Sequence, residues 1–385
     1  MENVTIRVTR AAARRKRMED GMETPIKKTE TVEVEAADGR RKRRRVVLGD
    51  ITQEANSGVL DGGGKKKGGL KNVSELVIID INKKVIEPHD DCNSVGVDPV
   101  TLVCPKDASE IDTYLRSMEM RAENRPNADY IQLVQKDVTA GMRGVLVDWL
   151  VEVAEEYKLL PNTLFSTVSC IDRFLSCQCI NRSKLQLLGV SCMLAASKYE
   201  EISPPNTEEF RYITDNTYTK DEVVDMEFDV LKYLKWAMGA PTAKTFLGRF
   251  IKECLSESDE SYLQFEFLSS YLAELSLIDY ACIQYPPSII AASAVFLARF
   301  TLDTNANPWN TTLHLCSNYN PSDLKDCVGT IHDLQLNKKN SSLTAIREKY
   351  RQHKFKFVAT LVPPPEIPST YFEDASPDNN NDQSV

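Results

Sequence analysis

Cysteine and histidine are the side chains here most able to do chemistry, and their spacing does not gather them into a site. The ten cysteines are scattered, and His89, His314, His332 and His353 lie far apart. Cys177 and Cys179 form the closest thiol pair, but no second pair matches them as a zinc site requires. Cys170, Cys192 and Cys282 fall inside apolar helical patterns, where a thiol behaves as a small hydrophobe. The N-terminus carries Glu2, Arg7 and Arg10 and no apolar run of a secretory signal, so reduced thiols are expected rather than disulfides. The glycine-rich stretch Gly62–Gly69 lacks the Gly-Lys-Ser/Thr spacing of a phosphate loop. Neither His-Arg-Asp nor Asp-Phe-Gly occurs, so the phosphoryl-transfer signatures of a kinase are missing. No nucleophile, base and orienting residue are suggested by spacing. The expectation is a protein with no catalytic centre, no metal and no cofactor.

Two patterns point to binding instead. Lys198 is the first charge after the apolar run that begins at Leu185, so its ammonium should emerge at a helix C-terminus, where a cation suits the macrodipole. By itself that reads as a solvated cap. Met142, Val145, Leu146 and Trp149 form a stripe at i, i+3, i+4, i+7, which by spacing alone reads as core.

The elements that hold these residues are helices. Met142–Tyr157 is amphipathic, and Leu185–Tyr199 is apolar enough to be buried on nearly every side. Thr219-Lys220-Asp221-Glu222 is a capping box that opens a helix over Val223–Leu234. No alternating pattern competes, so the fold class is all-α. A weak repeat of about 100 residues is also present. Leu194-Ala195-Ala196 precedes the helix opened by Thr219, and Ile290-Ala291-Ala292 precedes one with Pro321 in its first turn. Gly239-Ala240-Pro241 is the stop signal between the two copies.

Charge divides the 385 residues unevenly. The net charge is −9, yet residues 1–71 hold 18 Lys and Arg against 11 Asp and Glu, leaving 29 against 45 for the remainder. The basic head, with runs at Arg14–Arg17 and Arg40–Arg45, cannot bury enough apolar surface to offset its ordering entropy and is expected to be disordered. The longest uncharged apolar stretch, Ser288–Ala298, stops at Arg299, well short of the ~20 residues that cross a membrane.

Five segments, in order, resemble one family. Met142 to Val153 resembles the first helix of a cyclin box, and Ile171-Asp172-Arg173-Phe174-Leu175 the second. Leu194 to Ile202 resembles the end of the third, and Tyr212-Ile213-Thr214-Asp215 and Met226-Glu227 continue the match. The likeness is to A-type mitotic cyclins of plant character, covers roughly residues 107–350, and is more specific in the first half. It implies two tandem five-helix cyclin-box domains preceded by an N-terminal helix. The expected division is a disordered regulatory tail over 1–106, the N-terminal helix and first box over 107–238, the second box over 239–356, and a C-terminal tail over 357–385. It also implies a regulatory subunit that binds and activates a cyclin-dependent kinase and helps dock its substrates, from S phase to mitosis.

The resemblance assigns roles to residues. Lys198 and Glu227 match the kinase-contacting pair, with Tyr199, Glu200, Trp236 and Met238 around them and Ile111 and Tyr114 contributed by the preceding helix. A core-capping role between the boxes is the alternative for Trp236. Arg143 and Asp172 match an internal salt bridge joining the first two helices. Met142, Val145, Leu146 and Trp149 become the groove for Arg-x-Leu substrates and inhibitors, while Val147, Leu150, Val151 and Ala154 fill the core. Glu152 would meet the motif's arginine, and Arg182 and Gln186 match the other wall. Gly144 and Val145 stand where alanine and isoleucine are usual: Gly144 costs helix stability of ~1 kcal/mol relative to alanine, and Val145 makes the groove slightly shallower.

Arg45, Leu48 and Ile51 resemble a destruction box read by the mitotic ubiquitin ligase, with Gln53 in place of the usual asparagine. The basic runs read as a nuclear-import signal for an import receptor, which implies a nuclear protein with a possible cytoplasmic pool. Thr24-Pro25-Ile26-Lys27 fits the consensus of the kinase itself. The alternative function is a cyclin-fold transcription or nucleic-acid-binding factor. Against it, only Cys92 and Cys104 are available in the tail for a zinc ribbon, and the acidic body disfavours DNA.

Overall fold

Local signals set the helix boundaries. The computed structural model describes residues 105–254, 261–339 and 342–374. They form thirteen α-helices, with no strand among the described residues. The first are α1 (Pro105–Glu119) and the single turn α2 (Tyr130–Leu133). Helix α3 (Ala140–Tyr157) opens on Thr139, whose side chain accepts from the Met142 amide, and stops at Lys158 in the left-handed region. Then follow α4 (Pro161–Cys177), α5 (Leu185–Glu200), α6 (Thr207–Ile213) and α7 (Lys220–Tyr233), the last opened by the Thr219–Glu222 capping box. The second half repeats the pattern with α8 (Ala243–Cys254), α9 (Tyr262–Ile278), α10 (Pro287–Leu302), α11 (Thr311–Ser317) and α12 (Pro321–Gln335), followed by α13 (Ala345–Tyr350).

Each half is built round one buried helix. In α5 every residue from Leu185 to Ser197 is buried, and α3, α4, α6 and α7 pack on it. In the second half α10 takes that place against α8, α9 and α12. Ala195-Ala196 and Ala291-Ala292 are buried in these two helices, their small side chains letting neighbouring helices approach. At Gly189 the approach is close: a Cβ there would stand 2.8 Å from Leu146 Cδ1.

The halves are joined through α3, α4 and α1. Helix α4 meets α8, and α3 lies against α9 and α13. Arg143 of α3 pairs with Asp172 of α4 at 2.6 Å and also donates to the Leu277 carbonyl at the end of α9 at 2.6 Å. Tyr130 Oη donates to the same Asp172 at 2.9 Å. Burial opposes the charge on Arg143, but the Asp172 carboxylate outweighs it and holds the guanidinium protonated above its ordinary range. The pair therefore does more than orient the first bundle, because it also satisfies terminal carbonyls of the second. Asp148 Oδ1 accepts from the Ala345 amide at 2.9 Å. Glu155 takes Lys354 at 2.7 Å and lies 3.8 Å from Lys349, which itself pairs with the buried Glu274 at 2.9 Å.

Helix α1 docks on the second half. Asp112 binds Arg249 at 3.0 Å, Arg116 donates to the Ser317 carbonyl and stacks over Tyr319, and buried Glu119 accepts from the Ser288 amide and hydroxyl at the start of α10.

Residues 357–374, expected in a tail, pack on the second half instead. Phe372 stacks on Phe296 at 5.2 Å, Tyr371 meets Phe300 edge-on, Asp374 accepts from Ser322, and His332 Nε2 donates to the Pro364 carbonyl at 2.8 Å. Aromatic burial holds this strap where charge content alone suggested solvent. Cys282 is buried as expected but in a 3-10 turn, Tyr280–Gln284, rather than an α-helix. The thiols of the described residues are free, and burial pushes Cys170 up to about 11.

Candidate kinase-binding face and docking groove

Lys198 closes α5 and Glu227 sits midway along α7, whose packing on α5 brings them together. Lys198 Nζ donates to both Glu227 oxygens, at 2.7 and 2.8 Å. The carboxylate is nearly buried, its side chain 8% exposed, whereas the lysine is 50% exposed. Two of the three ammonium protons are used on the carboxylate, which leaves one on the exposed lysine for a partner.

Aromatic side chains surround the pair. Tyr199 is exposed, and its hydroxyl lies over Gly239, where a Cβ would stand 2.7 Å away. Trp236 is 63% exposed and meets Phe228 edge-on at 6.4 Å. It does not cap the core: Lys235 and Trp236 both adopt positive φ, 51° and 62°, and this turn throws the indole outward. Tyr114 on α1 is exposed, Ile111 is half-buried, and Glu200 accepts from Ser166 Oγ at 3.0 Å. Met238 is a correction. Its side chain is buried, with Sδ 3.8 Å from Cys170 Sγ, so it fills the core and is not available to a partner.

Phe228, Ile202 and Tyr233, all exposed, extend this face and were missed from sequence. A signal existed. In α7 the buried residues Val223, Glu227 and Val230 are each followed by an apolar one, Val224, Phe228 and Leu231, a second apolar stripe of which Val224 and Phe228 stay exposed.

The groove stripe divides. Val145 is 40% exposed and Met142 half-buried, but Leu146 is fully buried against Gly189 and belongs to the core, which corrects its assignment to the groove. Leu146 faces α5, where Gly189 leaves room for its methyl groups. Val147, Leu150, Val151 and Ala154 are buried too. Trp149 and Gln186 are almost buried, and Trp149 Nε1 and Gln186 Nε2 have no hydrogen-bond acceptor among the described residues. Orphaned donors of this kind are rare in a finished interior. Glu152 is half-buried, and Arg182 lies 3.8 Å from Asp137, whose carboxylate also accepts the Arg182 amide. Gly144 faces away from the groove, 3.1 Å (measured from an added Cβ) from Leu343 Cδ1 and 3.4 Å from the Ile278 carbonyl. It serves contact with the second half.

Arg45, Leu48 and Ile51, with the basic runs and Thr24, lie outside the described residues. Among the described residues no three His, Cys, Asp or Glu side chains are placed to hold a metal, and no helix is long and apolar enough to cross a membrane.

Residues 110–239 match the family model for the cyclin N-terminal domain, and residues 241–364 that for the cyclin C-terminal domain. Cyclin-A3-1 of Oryza sativa subsp. japonica is 64% identical over 274 residues, covering 71% of this chain and 73% of that protein. The G2/mitotic-specific cyclin C13-1 of Daucus carota is 50% identical over 348 residues, covering 86% and 96%. The structure of a viral cyclin from herpesvirus saimiri superposes with a TM-score of 0.52 at 24% identity, over 58% of this chain and 96% of that one, which is a likeness of fold. Helical repeat, matched domains and relatives agree: the chain belongs to the cyclin family, among the A-type cyclins of plants.

Proposed function

We propose that the Lys198–Glu227 pair and the aromatic shelf around it are the surface through which this cyclin holds its kinase. As a cyclin the chain is a regulatory subunit of a cyclin-dependent kinase and not itself a catalyst. What carries the assignment to this face is one observation: a nearly buried carboxylate locked to a half-exposed lysine, ringed by exposed Tyr199, Phe228 and Trp236. Aromatic anchors around a partly desolvated charge pair are the usual make-up of an interface centre. Lys198 would give its remaining proton to a partner carbonyl, and Glu227 would accept from a partner amide. Catalytic power stays with the kinase, whose own residues handle the phosphoryl group.

The second element of the proposal is substrate docking on α3 and α5. An extended Arg-x-Leu peptide laid along Met142, Val145 and Trp149 would offer backbone carbonyls to Trp149 Nε1 and Gln186 Nε2, which lack acceptors, and its arginine to Glu152. The tail would add nuclear import through Arg14–Arg17 and Arg40–Arg45, and destruction through Arg45, Leu48 and Ile51 by the mitotic ubiquitin ligase.

Co-purification with candidate cyclin-dependent kinases, followed by phosphorylation of a histone-type substrate, tests the first element. Wild type should pull down and activate a kinase, and the Lys198→Ala, Glu227→Ala double variant should stay helical and do neither. Activation retained by the double variant overturns the assignment of this face. An Arg-x-Leu peptide should compete with substrate for wild type and lose its effect in Trp149→Ala.

A further inference from the structure

A cleft of about 450 Å³ opens where the end of α8, the start of α9 and the end of α10 meet the loop that follows α10. Its lining comes wholly from the second box, so it is separate from the kinase face and from the α3 groove. Phe265, Leu302 and Pro308 form an apolar wall, with Phe265 and Pro308 buried and therefore fixed in place. The volume falls within the ~300–1,000 Å³ typical of sites for small organic molecules.

Arg299 gives this cleft its chemistry. It lies in the last turn of α10, where a cation suits the helix dipole and ordinarily stands in water. Here the residue is half-buried, and Nη1 is shut away from solvent with no hydrogen-bond acceptor among the described residues. The side chain beside it is the Cys254 thiol, which burial keeps neutral by pushing its pKa up to about 12, so no counter-charge comes from there. Asp303, the one carboxylate among the described lining residues, turns Oδ1 to the Asn305 and Ala306 amides of its own loop and makes no ion pair with Arg299. A cation drawn partly out of water without an opposing charge costs free energy that an anion would offset.

We propose that this cleft binds a small apolar monocarboxylate, its hydrophobic body against Phe265, Leu302 and Pro308 and its carboxylate on the Arg299 guanidinium. Nε and Nη2 are not sealed in as Nη1 is, and together they make the edge on which a carboxylate can seat both oxygens. Asn307 also lines the cleft, and its Oδ1 already accepts from the Trp309 amide at 2.9 Å, which leaves its NH2 as a further donor for the anion. One unpaired cation calls for one negative charge, and Asp303 in the same lining would repel a second. A ligand seated there touches α8, α9 and α10 together, so it stabilises the second box.

The test uses the full chain with 2-naphthoate as probe, read by ligand-observed NMR titration and by the unfolding midpoint. Saturable binding with a raised midpoint is expected. 2-Naphthamide, the same rings without the charge, should bind about tenfold more weakly or worse, the usual worth of a hydrogen bond to a charged group. Arg299→Met keeps an apolar stem and removes the cation, so it should weaken the acid by a similar factor and leave the amide's affinity unchanged. Ala306→Trp, on the exposed loop, should obstruct the cleft and abolish binding of both, and it serves alone if Arg299→Met does not fold. No saturable binding, equal affinity for acid and amide, or undiminished binding of the acid to either folded variant would each overturn the proposal.

Discussion

Breaking the Lys198–Glu227 pair from its two ends should have unequal consequences for the fold. In Lys198→Met the Glu227 carboxylate, 8% exposed, loses both of its short hydrogen bonds and has little water to replace them. Leaving a buried charged acceptor unpaired costs about 1–3 kcal/mol or more, and ~2 kcal/mol is reasonable here because one side of the pair is open. In Glu227→Gln the abandoned lysine is half in water already, so only a screened surface interaction of about 0–1 kcal/mol is lost. Both variants should lose kinase binding, yet only the lysine variant should lose much stability. At roughly 2–4 °C per kcal/mol for a fold of this size, Lys198→Met should melt about 4–8 °C below wild type and Glu227→Gln within about 4 °C of it. Thermal unfolding followed by far-UV circular dichroism reads both. If Glu227→Gln proves as destabilising as Lys198→Met, the burial argument is wrong.

Three further outcomes can be checked on the same instrument. Arg143→Met strands Asp172, leaves Tyr130 as its one remaining hydrogen-bond donor, and uncaps the Leu277 carbonyl; a loss of about 3–5 kcal/mol is expected, enough to leave little soluble folded protein. Gly329→Ala on α12 meets open space and should stabilise by about 0.5–1 kcal/mol, whereas Gly189→Ala forces Leu146 aside and should destabilise by about 1–2 kcal/mol. Burial lowers the His332 imidazole below its ordinary 6.5, against the opposing pull of the Pro364 carbonyl. The unfolded chain then binds the proton first, so stability present at neutral pH should fall as pH drops below about 6.5. His332→Gln, which keeps a donor for Pro364, should flatten that slope in urea titrations between pH 7 and 5.

Local chemistry was the legible part of this protein. The Thr219–Glu222 box, Pro321 at a helix start and the alanine-bearing central helices all act over a few residues, and the structure uses them as read. What periodicity could not rank was two apolar faces on one helix. Leu146 and Val145 are neighbours of similar character, and only Gly189, more than forty positions away, decides which one turns inward. Met238 was assigned outward from the family resemblance, and its seat against Cys170 exists only after the linker has turned. Phe228 was missed because it follows a residue already given a role, although its apolar stripe was visible. The ties at Arg143, Asp148 and Glu155 span well over a hundred residues and leave no mark on spacing at all.

Those three ties make α3 an awkward place to cut. A fragment ending at the linker would keep the proposed docking stripe on α3, yet Arg143 would lose the α9 carbonyls, Asp148 the Ala345 amide and Glu155 its two lysines. That flank of α3 would then set Glu155 without its lysines and a bare notch at Gly144 in water, with Arg143 held by Asp172 alone. A portable peptide receptor made from this protein would therefore need the second box left in place, or that flank rewritten with side chains content in water. The repeat visible in the chain is not a seam along which the protein can be separated.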